Sequence, residues 1–158
     1  MSHISALINA DNVHCHVDAS SRKRVLQLAA ELIGDAKLPA DTLFDSLMAR
    51  ERLGSTGLGD GIAIPHCRSD CDAMRVGFIS LARPIDYGAS DGEDVDLLFV
   101  LVVPEDEQHA HLQALAQLAE VFSDAQNRIK LRSCTTDAAL LEQMQACLAD
   151  QVPDTRTA

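Results

Sequence analysis

The sequence predicts an α/β sandwich, a single domain with a small mixed central β-sheet flanked by helices. Three observations carry that expectation. Val76–Ile85 and Val95–Val103 are apolar, β-rich runs too continuous for one-sided burial, so they read as central strands. Stretches with helical apolar period stand on both sides of them in the chain. Helices and strands are interspersed within only 158 residues, a pattern that layers helices on the faces of one sheet. That length suits one core burying roughly two-thirds of the unfolded surface. There is no repeat, low-complexity stretch or linker, so the domain is expected to span residues 1–152, with a frayed tail at 153–158. The strand order does not follow from the pattern.

Ser20–Ile33 sets apolar residues at 25, 28, 29, 32 and 33 on one helical face, after a polar SSRK start that supplies capping hydroxyls. Pro39 opens a second helix striped by Leu43, Phe44, Leu47 and Met48 and ended by Gly54, with Arg50 and Glu51 in its last turn. A turn with glycines at 54, 57, 59 and 61 follows, then a short strand, Ile62–Ile64, closed by Pro65. The first long strand is bounded by Pro84 and Asp86-Tyr87-Gly88, the second by Pro104. From Asp106 a third helix is expected to turn Leu112, Leu115, Ala119 and Phe122 inward. Thr135-Thr136-Asp137 caps a last helix with Leu141, Met144 and Leu148 inward.

Composition removes several function classes. The formal charge of −11 is spread along the chain and disfavours a nucleic-acid partner, which draws on clustered Lys and Arg. With 3% aromatic residues and no Trp there is no base-stacking platform. No apolar run approaches the roughly 20 residues of a membrane helix, and the start MSHISALINADNVHCH lacks the features of a secretory signal. A cytoplasmic protein without membrane insertion is expected. Cysteines at 15, 67, 71, 134 and 147 are odd in number and lack CxxC spacing, so they read as reduced thiols, with Cys147 in the core. His14-Cys15-His16 sets two imidazoles on one face if extended, but no second ligand pair stands at a matching interval. No metal and no cofactor is assigned.

The segment GSTGLGDGIAIPHCR, Gly54 to Arg68, concentrates the chemistry. Its glycines free the backbone for positive φ and for the convergent N–H groups of an anion cradle, and His66 follows directly. Histidine is a competent phosphate acceptor near neutral pH because much of it is a free nucleophile. Pro65 restricts the direction in which His66 leaves the preceding strand. A Walker loop is excluded because no Gly-Lys-Ser/Thr follows the glycines, and GxSxG, the nucleophile elbow of serine hydrolases, is absent. His111, near the start of the third helix, reads either as a hydrogen-bond partner of a phosphate or as an exposed first-turn histidine. His109, two positions away, faces the other side. Arg50 reads either as a fork for phosphate oxygens or as a complement to the helix dipole. Ser55 and Thr56 read as hydroxyl donors or as caps.

GSTGLGDGIAIPHCR resembles the active-site signature of the phosphotransferase-system IIA proteins of the fructose/mannitol class, and within it the nitrogen-regulatory branch. VHCHVDASSRKRVLQLAAEL, MARERLGSTG and VDLLFVLVVPEDEQHAHLQALAQLA extend the resemblance over nearly the whole chain. It implies a phosphohistidine carrier in which His66 accepts a phosphoryl group from an HPr-like protein. His111 then matches the group that hydrogen-bonds the phosphohistidine and Arg50 the arginine that faces it. Ser55, Thr56, the backbone of Gly57 and Cys67, and Arg68 are assigned to the phosphate, without a metal. The resemblance also implies regulated target proteins or, alternatively, a IIB domain as acceptor in fructose/mannitol-type uptake. The lack of a fused IIB or membrane domain in the sequence favours regulation. Cys67 departs from the small residue common in the family after Pro-His, and an exposed thiol there is expected to confer mild redox sensitivity.

Overall fold

The computed structural model describes residues 3–151, so the tail expected to fray at 153–158 lies outside the described residues. Its elements in chain order are α1 His3–Leu7, β1 Val13–Val17, α2 Arg22–Ile33, α3 Ala40–Arg52, β2 Gly57–Gly59, β3 Ile62–Ala63, β4 His66–Ser69, β5 Arg75–Ile85, β6 Val95–Pro104, α4 Gln108–Ser123, α5 Ala125–Arg132 and α6 Asp137–Ala149. The sheet order is β1-β5-β6-β3-β2, with β4 also paired to β6. β1 runs parallel to β5, β5 antiparallel to β6, and both β3 and β4 parallel to β6. The architecture is the α/β sandwich the sequence predicts.

β6 shows why its sequence lacks alternation. Leu97, Phe99, Leu101 and Val103 point into a core shared with α1, α4, α5 and α6. Leu98, Val100 and Val102 point into a second core under α2 and α3. Both faces are covered, so both sets of side chains are apolar. Ser21 caps α2 by accepting the Arg24 N–H at 3.1 Å, and Thr136 caps α6 by accepting from Ala139 at 3.1 Å.

The structure corrects several expectations. The glycine turn is a β-hairpin: β2 and β3 pair antiparallel, and Asp60 and Gly61 between them have φ of 58° and 80°. Positive φ at both central positions is the geometry that an Asp-Gly pair supplies to a tight hairpin, so these residues turn the chain back on itself. Pro65 does not end the strand. β3 and β4 are two pieces of one path along β6, and the Pro65 carbonyl between them accepts the Leu101 N–H at 2.9 Å. Proline removes only the donor from the ladder.

On α4 the inward face carries Ala114, Leu118, Val121 and Phe122, with Leu115 and Ala119 half-buried, while Leu112 is 67% exposed. A small alanine and a polar His111 weaken the true stripe, so the Leu112 stripe wins on hydrophobicity alone. In α6, Leu140 and Cys147 join Met144 and Leu148 inside, and Leu141 is only half-buried. Tyr87, read as a turn residue, is buried. Sequence reasoning left α1, β1, β2, β4 and α5 unassigned; α5 buries only Leu131, so it has no stripe to read. Within β1, His16 has φ of 53° and the register to β5 shifts between His14 and Val17. Among the described residues no group of three or more His, Cys, Asp or Glu is placed to hold a metal, and His14 instead faces Asp137 at 3.4 Å.

Candidate functional site

His66 opens β4, in register with Leu101 of β6. The two-residue period of the strand sends Cys67 and Ser69 into the buried layer and leaves His66 and Arg68 on the other face. Cys67 belongs to the core beneath α2 and α3, so His66 and Arg68 face the α4 side of the sheet. There, on the first turn of α4, stands His111, the same face as Ala114 and Leu118. The two imidazoles meet edge to face, with ring centroids 5.1 Å apart and planes at 71°. Residues 45 positions apart are thus brought together by parallel pairing and the turn from β6 into α4.

The ring of His66 is oriented by one bond. Nδ1 lies 2.7 Å from the carbonyl oxygen of Ile64. A carbonyl only accepts, so Nδ1 carries the proton and Nε2 keeps the lone pair. Burial holds the His66 imidazole below the usual histidine range and the Arg50 charge adds to this, against the opposing pull of the Ile64 bond and of Glu51. His111 is held low by burial first, then by His66, Arg68 and Arg50. Two neutral imidazoles and two guanidinium groups therefore share one electrostatic neighbourhood, on a chain whose net charge is −11.

Arg50 is set at the last turn of α3, where its Nη1 donates to the Gly54 carbonyl at 2.9 Å. Beneath it the structure holds a buried polar cluster that sequence reasoning missed. Glu51 is buried and accepts from the Thr56 hydroxyl, from the Thr56 N–H at 3.3 Å and from the Tyr87 hydroxyl at 2.8 Å. Arg22 stands 3.9 Å from the same carboxylate and 5.9 Å from the centre of the Tyr87 ring. The signal was present for half of it: Leu43, Leu47 and Glu51 are spaced four apart, so a helix burying the first two buries the third.

This cluster revises the residues expected to touch an anion. Thr56 has both its donors engaged by Glu51, and Gly57 donates its N–H to Ser55 Oγ at 3.0 Å. Cys67 is 7% exposed, its thiol pushed up to about 11 by burial, which removes the basis for redox sensitivity through an exposed thiolate. Of the expected groups, His111 meets the His66 ring, Arg50 bears on it electrostatically and Arg68 shares its strand face.

The family model described as "Phosphoenolpyruvate-dependent sugar phosphotransferase system, EIIA 2" matches residues 6–147. The chain belongs to this family. It is 47% identical over 131 residues to the nitrogen regulatory protein of Pseudomonas aeruginosa, covering 80% of this chain and 84% of that one. The crystal structure of nitrogen regulatory protein IIA-Ntr from Neisseria meningitidis superposes with a TM-score of 0.87 at 34% identity, covering 93% of this chain and 99% of the other. Enzyme IIA mannitol of Escherichia coli, solved in complex with phosphorylated enzyme IIB mannitol, shares the fold with a TM-score of 0.71 at 19% identity, over 91% and 98% of the two chains. The EIIA chain described here is thus a phosphotransferase-system component. No helix among its described residues is long and apolar enough to cross a membrane.

Proposed function

We propose that this EIIA chain, through residues 1–152, is a cytoplasmic phosphohistidine carrier that takes a phosphoryl group on His66 from an HPr-like protein and regulates target proteins by its phosphorylation state. The observation that carries the reading is the bond from Nδ1 of His66 to the Ile64 carbonyl. It leaves Nε2 as the nucleophile without any proton having to move. The Nε2–P bond forms as the donor's N–P bond breaks, and the donor imidazole leaves with the electron pair. Such transfers depend on positioning and charge stabilisation more than on covalent assistance. Arg50 and Arg68 supply positive charge for the equatorial oxygens, and His111, whose ring meets that of His66 edge to face, a hydrogen-bonding group beside the phosphohistidine.

Regulation is the reading supported by the relatives named nitrogen regulatory proteins. Phosphorylation adds roughly two negative charges at one surface point, enough to repel one partner or recruit an arginine of another. The shared fold with a IIA solved against phosphorylated IIB supports the second reading, delivery of phosphate to a IIB domain in sugar uptake. The test is phosphate transfer from phosphoenolpyruvate-driven carriers to the wild type and to His66→Ala. Labelling of wild type alone is expected; labelling that survives the substitution removes His66 as acceptor. Efficient transfer onward to one member of a panel of IIB domains would replace regulation by transport.

A further inference from the structure

A chain of hydrogen bonds joins the buried carboxylate of Glu51 to the His66 ring. Glu51 takes both donors of Thr56. The remaining polar group of Thr56, its carbonyl, accepts the Ile64 N–H at 3.0 Å. The Ile64 carbonyl accepts from Nδ1 of His66 at 2.7 Å. A second tie runs through the same turn: Gly54 donates its N–H to the Glu51 carbonyl at 3.1 Å, and the Gly54 carbonyl receives the Arg50 guanidinium at 2.9 Å.

We propose that Glu51 is a positioning residue for phosphoryl acceptance, acting through Thr56 and the backbone on either side of the Ile64 Cα to hold His66 in its Nδ1–H tautomer and through the Gly54 turn to hold Arg50. The inference rests on His66 being the acceptor. Its chemistry requires a carboxylate. The Thr56 N–H, the Thr56 hydroxyl and the Tyr87 hydroxyl all donate, and only a group with acceptor sites throughout satisfies all three. An amide in its place brings two donors of its own into the cluster and leaves one of these groups buried without a partner. Loosening Thr56 releases the Ile64 carbonyl, and the His66 ring is then free to carry its proton on Nε2, where the lone pair is needed.

The experiment uses the full chain as Glu51→Gln and Thr56→Val, with Thr56→Ser as the conservative control and thermal unfolding to establish folding. Ring ¹⁵N chemical shifts of His66 report the tautomer without any phosphate. Labelling rates at saturating and limiting phosphorylated HPr-like carrier report transfer. Wild type and Thr56→Ser are expected to show Nδ1 protonated and equal rates. Glu51→Gln and Thr56→Val are expected to show mixed tautomers and a saturating rate lowered roughly 10- to 100-fold, with half-saturation within about twofold of wild type. Folded variants with wild-type ring shifts and rates overturn the proposal; should Glu51→Gln not fold, the contrast of Thr56→Val with Thr56→Ser decides it. Labelling of His66→Ala overturns the acceptor reading instead, while the ring shifts still judge the relay.

Discussion

Replacing Tyr87 with phenylalanine removes one oxygen from the buried cluster under the site and leaves the ring in place. That oxygen donates to Glu51 at 2.8 Å and lies 3.0 Å from the Thr56 hydroxyl. Tyr87 and Glu51 are both buried, so water does not take the vacated position freely. A hydrogen bond to a charged group contributes about 1.5–3 kcal/mol, and Glu51 retains the two donors of Thr56, so Tyr87→Phe is expected to cost about 2 kcal/mol. For a chain of this size that is a fall in Tm of roughly 4–8 °C, with a lower urea midpoint and an unchanged slope. Burial first, and then the Glu51 charge, push the Tyr87 phenol far above the usual tyrosine value. A raised folded-state value contributes stability that is fully present below the unfolded value and lost as pH rises past it. Above about pH 10 the wild type therefore loses stability by about 1.4 kcal/mol per pH unit through this group, a loss the variant does not share. The gap of about 2 kcal/mol should close near pH 11.5. Urea unfolding of both proteins from pH 7 to 11 checks this; a gap under about 0.5 kcal/mol at pH 7, or one that stays constant above pH 10, refutes the reasoning.

Removing the Arg50 charge favours the protonated imidazole, so Arg50→Ala is expected to raise the titration midpoint of His66 in ring NMR towards the ordinary value of about 6.5. Because His66 is held low in wild type, phosphoryl acceptance should stay level above neutrality and fall only as pH drops below about 6.5, which a pH series of labelling rates measures. Gly61 has φ of 80° at the hairpin turn and a Cβ there would press on the Arg132 guanidinium that pairs with Asp96, so Gly61→Ala should cost at least about 1–2 kcal/mol in urea unfolding. Native-state alkylation followed by mass mapping should leave Cys67 unmodified until the chain unfolds, since its thiol is buried and pushed up to about 11.

The two long strands were readable because burial on both faces forces continuous apolar sequence, and α2, α3 and α6 because each presents a stripe. The short strands were not. β2 has three residues, two of them glycine, and β3 has only two, so no period can be counted in either. Asp60-Gly61 did carry a hairpin signal, but the density of glycines around it reads equally as an anion cradle. Leu112 was placed inward because hydrophobicity outweighs the small Ala114 when helix faces are compared without a neighbour.

The sequence by itself determined the fold class and the family, and singled out His66, His111 and Arg50 as candidates, because apolar period and a dense local motif are properties of neighbours along the chain. Tertiary structure alone decided which nitrogen of His66 is free, that Cys67 turns inward, and that Thr56 and Tyr87 converge on Glu51. The last two depend on a choice of strand face, which one residue of register reverses, or on Tyr87 arriving from a distant segment, and the first on how the fold turns the His66 ring toward the nearby Ile64 carbonyl.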